Sequence, residues 1–123
     1  MSKKILVVDD NEFDREIMHR FLKKAGYADI IMAETGQEGL DKARTENPDL
    51  IILDIMLPKL DGYKICRMLK FYSKYKDIPV IMCTSRSQDA DKKLGFDVGA
   101  DYYYTKDFDP PELLAKIKEI LGE

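Results

Sequence analysis

Histidine and cysteine are scarce in this chain of 123 residues, which has one His, two Cys and no Trp. A lone His19 makes neither a zinc cluster nor a relay of like groups, so it reads as a partly exposed structural residue. Cys66 and Cys83 form no Cys-x-x-Cys pair and have no His cluster beside them, which argues against a redox dithiol, a zinc site or a disulfide framework. The expectation is two reduced, partly buried thiols in a cytosolic protein. Long apolar runs are also missing: Ile5 to Val8 is typical, far short of the roughly 20 residues a membrane helix needs. The N-terminus has no signal-peptide core. Charge of one sign is not in excess, with 20 basic and 23 acidic residues giving a net charge of −3, so there is no basic footprint for nucleic acid. The phosphate loop GxxxxGK[ST] of nucleotide hydrolases is absent.

What remains is the composition of an ordinary folded domain, 45% hydrophobic and 35% charged, and the length suits one domain over residues 1–123. Five apolar segments read as strands: Lys4–Asp9, Asp29–Ala33, Asp49–Asp54, Ile78–Cys83 and the shorter Asp101–Tyr104. The first four are continuously apolar where a half-exposed strand would alternate, the pattern of a parallel sheet covered on both faces. Helical periodicity fills the gaps. Phe13, Ile17, Phe21 and Leu22 share a face, with Met18 and Ala25 at its edges and Gly26 as a stop signal. A second helix follows Thr35 and ends before Pro48. A third carries Ile65, Cys66, Met68, Leu69 and Tyr72 behind an Asp61 cap. A fourth, from Gln88 to Asp97, is weak and highly charged. The fifth starts near Pro110-Pro111 and carries Leu113, Leu114, Ile117, Ile120 and Leu121. Five alternations of strand and helix, joined by right-handed crossovers, give a doubly wound α/β domain. No further output domain is expected within the chain.

In such a sheet, ligands bind beyond the C-terminal strand ends. The residues delivered there form a set: Asp9-Asp10, Asp54, Thr84-Ser85 and Thr105-Lys106. Three carboxylates crowded on one rim repel one another. A hard divalent cation such as Mg²⁺, which takes oxygen ligands, resolves that repulsion. A cation, a hydroxyl and an ammonium around Asp54 suit a phosphoryl group, and a carboxylate can itself be the phosphoryl acceptor.

VVDDNE, LIILDIMLPKLDG, IMCTS and the Lys106 step together resemble the receiver domain of two-component response regulators, in order and spacing from Lys3 to Leu121. The resemblance implies a flavodoxin-like (βα)5 fold with strand order 2-1-3-4-5. It implies that Asp54 accepts phosphate from a sensor histidine kinase or a histidine phosphotransfer protein. Mg²⁺ would be held by Asp9, Asp10, Asp54 and the carbonyl of Met56. Lys106 would pair with the phosphoryl oxygens and Thr84 would swing its hydroxyl toward them. Tyr103 would change exposure in concert, remodelling the face of the fourth helix, fifth strand and fifth helix for a downstream protein, and homodimerisation on phosphorylation is a further expectation. The location implied is cytoplasmic. Met56 and Arg86, two residues past Asp54 and Thr84, occupy positions that tune phosphate lifetime in this family.

One departure from the family pattern stands out. The usual Pro after the lysine is replaced by Asp107, so a trans bond or a rearranged loop is expected, with Asp107 close enough to affect Lys106. Alternation along Tyr102-Tyr103-Tyr104 puts Tyr103 opposite its neighbours. Among rivals, a haloacid-type phosphatase needs a second Asp where Met56 stands, and a calcium loop over Asp89–Asp101 would need Gly where Leu94 stands. The alternative carried forward is a pseudo-receiver that binds partners without phosphorylation.

Overall fold

The computed structural model describes residues 3–123. The apolar runs become five strands, β1 (Lys4–Val8), β2 (Asp29–Ala33), β3 (Leu50–Leu53), β4 (Val80–Thr84) and β5 (Tyr102–Thr105). The helices are α1 (Glu12–Lys24), α2 (Gly36–Glu46), α3 (Gly62–Phe71), α4 (Asp89–Asp97) and α5 (Pro110–Leu121). The sheet is parallel throughout, in the order β2-β1-β3-β4-β5, as the resemblance implies.

Successive strand side chains point to opposite faces, so each strand feeds two cores. Leu6, Val8, Ile51, Leu53, Val80 and Met82 pack with Leu40, Ile65 and Leu69 of α2 and α3. Ile5, Val7, Leu50, Ile52, Ile81 and Cys83 pack with Met18 and Leu22 of α1 and Leu113, Ile117 and Leu121 of α5. Burial on both faces is why these strands read as unbroken apolar runs. Tyr103 joins the first core and Tyr102 and Tyr104 the second, as alternation predicts.

The helix caps follow the sequence. Thr35 and Asp61 accept hydrogen bonds from the backbone N–H of Glu38 and Lys64, and Pro110-Pro111 open α5. Gly26 takes a φ of 101° just past α1, a left-handed conformation that glycine adopts without a Cβ clash.

Element bounds differ from the sequence reading by one or two residues; two of these differences, and one in exposure, have a clear physical cause. Strand β4 begins at Val80, not Ile78, because Pro79 has no N–H to donate to a ladder. Strand β5 begins at Tyr102, because the Asp101 carboxylate caps the sheet edge, accepting from the Val80 N–H (2.8 Å) and the Lys70 ammonium (3.1 Å). Of the expected α1 face, Phe13 is 72% exposed and Ile17 44%, whereas Met18 and Leu22 are buried. The first turns of α1 flank the rim above the strands, and only the later turns cover the sheet. Helix α4 buries only Gly95, in keeping with its charged sequence.

Candidate functional site

Hydrogen bonding continues one residue past the strands and fixes the rim. The Asp9 N–H donates to the Ala33 carbonyl (3.1 Å), the Asp54 N–H to that of Val8 (2.9 Å), and the Lys106 N–H to that of Thr84 (2.9 Å). Val8 pairs with Leu53 in the register, so Asp9 and Asp54 leave adjacent strands side by side. Asp54 and Asp9 are buried and Asp10 is exposed. One carboxylate oxygen from each of Asp9, Asp10 and Asp54 lies within 4.8 Å of the others. An all-oxygen donor set of that span fits a hard divalent cation.

Each buried carboxylate is aimed by a backbone amide. Asp9 Oδ1 accepts from the Asn11 N–H and Asp54 Oδ1 from the Met56 N–H, both at 3.0 Å. Arg15 supports the loop from below, donating to the Asp9 carbonyl (2.9 Å) and pairing with Glu34 (3.0 Å). Burial raises the Asp9 pKa above the usual carboxylate value. The Lys106 ammonium and the Asn11 N–H pull it down without cancelling the effect, and the neighbouring Asp54 charge adds to the rise.

Lys106 crosses the rim and bridges the acids. Its Nζ lies 2.9 Å from Asp9 Oδ2, 2.9 Å from Asp54 Oδ2 and 2.6 Å from Asp14 Oδ2. Burial alone disfavours this ammonium, but hydrogen bonds to Asp14, Asp9 and Asp54 outweigh it and raise the lysine's pKa. The cleft here is about 60 Å³, lined by Asp9, Asp54 and Lys106 above Ile52 and Cys83. The cleft runs on beneath Lys106 along Asp14, Ile17 and Met18 of α1.

Asp14 was not legible as a site residue, because an acid in the first turn of a helix is ordinarily just a favourable partner for the helix dipole. Only the fold shows that it reaches an ammonium 92 residues away in sequence.

The remaining candidates fall around this centre. Thr84 is fully buried at the end of β4, and its Oγ1 accepts from the Arg86 N–H at 3.4 Å. Thr84 does not cap α4, where Gln88 holds the N-cap position. The Tyr103 hydroxyl donates to the Arg86 carbonyl at 2.7 Å. The Arg86 side chain turns away to Asp91 (3.8 Å). Met56 is half-exposed, and its sulfur accepts from the Ser85 hydroxyl at 3.1 Å. No cis peptide bond occurs among the described residues, so the Lys106-Asp107 bond is trans. Asp107 does not reach the ammonium, because its carboxylate accepts from the Thr105 hydroxyl. Both cysteines are free and buried, and burial pushes each thiol up to about 12, so they are inert packing groups. No helix among the described residues is long and apolar enough to cross a membrane.

The model of the response regulator receiver domain matches residues 5–118. The alkaline phosphatase synthesis transcriptional regulatory protein PhoP of Bacillus subtilis is 48% identical over 121 residues, which cover 98% of this chain and 49% of that protein. The chain thus spans about half the length of the curated relatives it matches, 46–49%. Among solved structures, the chemotaxis protein CheY4 of Vibrio cholerae superposes with a TM-score of 0.87 at 32% identity, covering 98% of this chain and 99% of that one. The CheY-like receiver domain protein of Methanospirillum hungatei gives 0.89 at 31% identity, covering 99% and 95%.

Proposed function

The chain belongs to the response regulator receiver domain family, the module of phosphorylatable two-component signalling, and on that premise we propose that Asp54 is its phosphoacceptor. Residues 1–123 act as one receiver domain in this reading. The single observation that carries it is the Lys106 ammonium, 2.9 Å from both Asp54 and Asp9, inside a rim of three acids.

The donor is the phosphohistidine of a sensor histidine kinase or a histidine phosphotransfer protein. An oxygen of the Asp54 carboxylate attacks phosphorus. The P–O bond forms as the P–N bond breaks, and the imidazole leaves with the bonding pair and takes up a proton. Lys106 receives the developing charge on the phosphoryl oxygens, and buried Thr84 donates its hydroxyl to one of them. Asp9, Asp10, Asp54 and the Met56 carbonyl would hold Mg²⁺, which when bound neutralises phosphoryl charge. The chain is no enzyme in the ordinary sense, since the bond made is to itself.

Movement of Thr84 frees or draws in the segment that carries Arg86. Tyr103 then shifts with it and changes the face of α4, β5 and α5, where a downstream protein docks. Gly95 places α4 close to this lever, since a Cβ there would lie 3.0 Å from both Met82 Sδ and Tyr103 Cδ2. Homodimerisation on phosphorylation uses the same face. This domain itself contacts neither nucleic acid nor membrane, and it works in the cytoplasm.

The test is incubation with Mg²⁺ and acetyl phosphate, followed by intact-mass measurement. A phosphate-sized gain in wild type and none in Asp54→Asn is expected. No gain in wild type, with acetyl phosphate or candidate kinases, overturns the reading in favour of a phosphorylation-independent module.

A further inference from the structure

The Lys106 ammonium has three N–H donors, and three carboxylates engage them. The shortest contact, 2.6 Å, goes to Asp14, a residue that the phosphoacceptor reading does not use. Asp14 is the third residue of α1, where an acidic side chain can turn back to the capping residue's own N–H. That role is closed here. The N–H of the capping residue Asn11 donates to Asp9 Oδ1, while Asn11 Oδ1 accepts from the Asp14 N–H at 2.9 Å. Asp14's backbone is therefore pinned by the cap, and its carboxylate is left to face the ammonium.

A phosphoryl group on Asp54 would meet an ammonium with every donor engaged. Asp54 yields its own contact when its carboxylate becomes an acyl phosphate and loses its charge. Asp14 does not, and it adds a fixed negative charge beside an incoming dianion. We propose that Asp14 is a positioning residue that competes with the phosphoryl group for Lys106 and so restrains phosphorylation of the site. This deepens the phosphoacceptor reading and rests on it.

Competition has a signature that loss of structure lacks. Replacing Asp14 with Asn removes one negative charge from the rim while keeping the side-chain shape. Cation binding should then weaken and phosphoryl binding strengthen, each by roughly three- to tenfold for one charge at this range. The experiment is an NMR-monitored titration of wild type, Asp14→Asn and Asp14→Glu with Mg²⁺ alone. A second titration uses beryllofluoride, a phosphoryl mimic, at saturating Mg²⁺. Asp14→Asn should bind Mg²⁺ more weakly and beryllofluoride more tightly, and Asp14→Glu, which restores the charge, should return both toward wild type. Beryllofluoride binding that is equal or weaker in Asp14→Asn overturns the proposal. If wild type itself binds no beryllofluoride, the phosphoacceptor reading fails first, so the two failures are distinguishable.

Discussion

The Tyr103 hydroxyl donates a 2.7 Å hydrogen bond to the carbonyl oxygen of Arg86, tying β5 to the segment that follows β4. Burial, with Tyr63 and Asp91 adding to it, raises the phenol from its usual 10.0 to about 12. A raised pKa in the folded state means that the unfolded chain loses this proton first. The stability linked to Tyr103 is therefore fully present below pH 10 and is lost as pH rises through about 12. Tyr103→Phe should be less stable than wild type near neutral pH by about 1 kcal/mol, the usual net worth of one hydrogen bond. The gap should close between pH 10 and 12. Guanidinium unfolding of both proteins across that range measures it, and a gap that stays constant with pH removes the assignment.

Asp9 and Asp10 matter for chemistry more than for folding. The raised pKa of Asp9 means that its ionised form is disfavoured in the fold, so at neutral pH the charge is a cost. Lys106 keeps Asp14 and Asp54 when Asp9 is gone. Asp9→Ala with Asp10→Ala should therefore abolish Mg²⁺ binding and phosphorylation completely. Its guanidinium midpoint at pH 7 without Mg²⁺ should equal or exceed that of wild type. A double variant that still gains phosphate from acetyl phosphate contradicts the role given to these acids.

The loop after Asp54 has no room for a side chain at residue 62. A Cβ on Gly62 would lie 2.3 Å from the Asp54 carbonyl oxygen and 2.7 Å from the Ile55 Cα, both backbone atoms that no rotamer change can move aside. Gly62→Ala should destabilise the protein by about 2–3 kcal/mol, the upper range for forced overpacking. It should also displace Asp54 and slow phosphorylation. A thermal melt and the acetyl phosphate reaction read the two effects separately, and a variant with wild-type values in both refutes this packing account.

The residues that the sequence made visible share one property: they sit where a regular pattern ends. Asp9, Asp54, Thr84 and Lys106 each close a strand that reads as apolar or aromatic, so the fold's topology alone sends them to one rim. Asp61 was visible as a cap because it precedes an amphipathic helix. Asp14 was missed and Phe13 and Ile17 were assigned to a covered face, for a common reason. Helical periodicity identifies residues that share a face but not what that face meets, and the first turn of α1 lies beside the pocket rather than over the sheet. The starts of β4 and β5 were missed because Pro79 and the Asp101 carboxylate act on the ladder through hydrogen bonding, which hydropathy does not register.

Met56 links the loop after β3 to the one after β4, its sulfur 3.1 Å from the Ser85 hydroxyl that donates to it. A thioether is a weak acceptor with no donor, so it cannot orient a water for attack on an aspartyl phosphate. An amide at this position could hold such a water in line with phosphorus, and positioning of that kind carries much of the barrier in phosphoryl chemistry. Met56→Asn should therefore shorten the lifetime of the phosphorylated protein about fivefold or more, without changing the backbone N–H of residue 56 that donates to Asp54 Oδ1. Phosphorylating wild type and variant, removing the donor and following intact mass over time gives both lifetimes. An equal or longer lifetime in the variant would show that water reaches the acyl phosphate by another route.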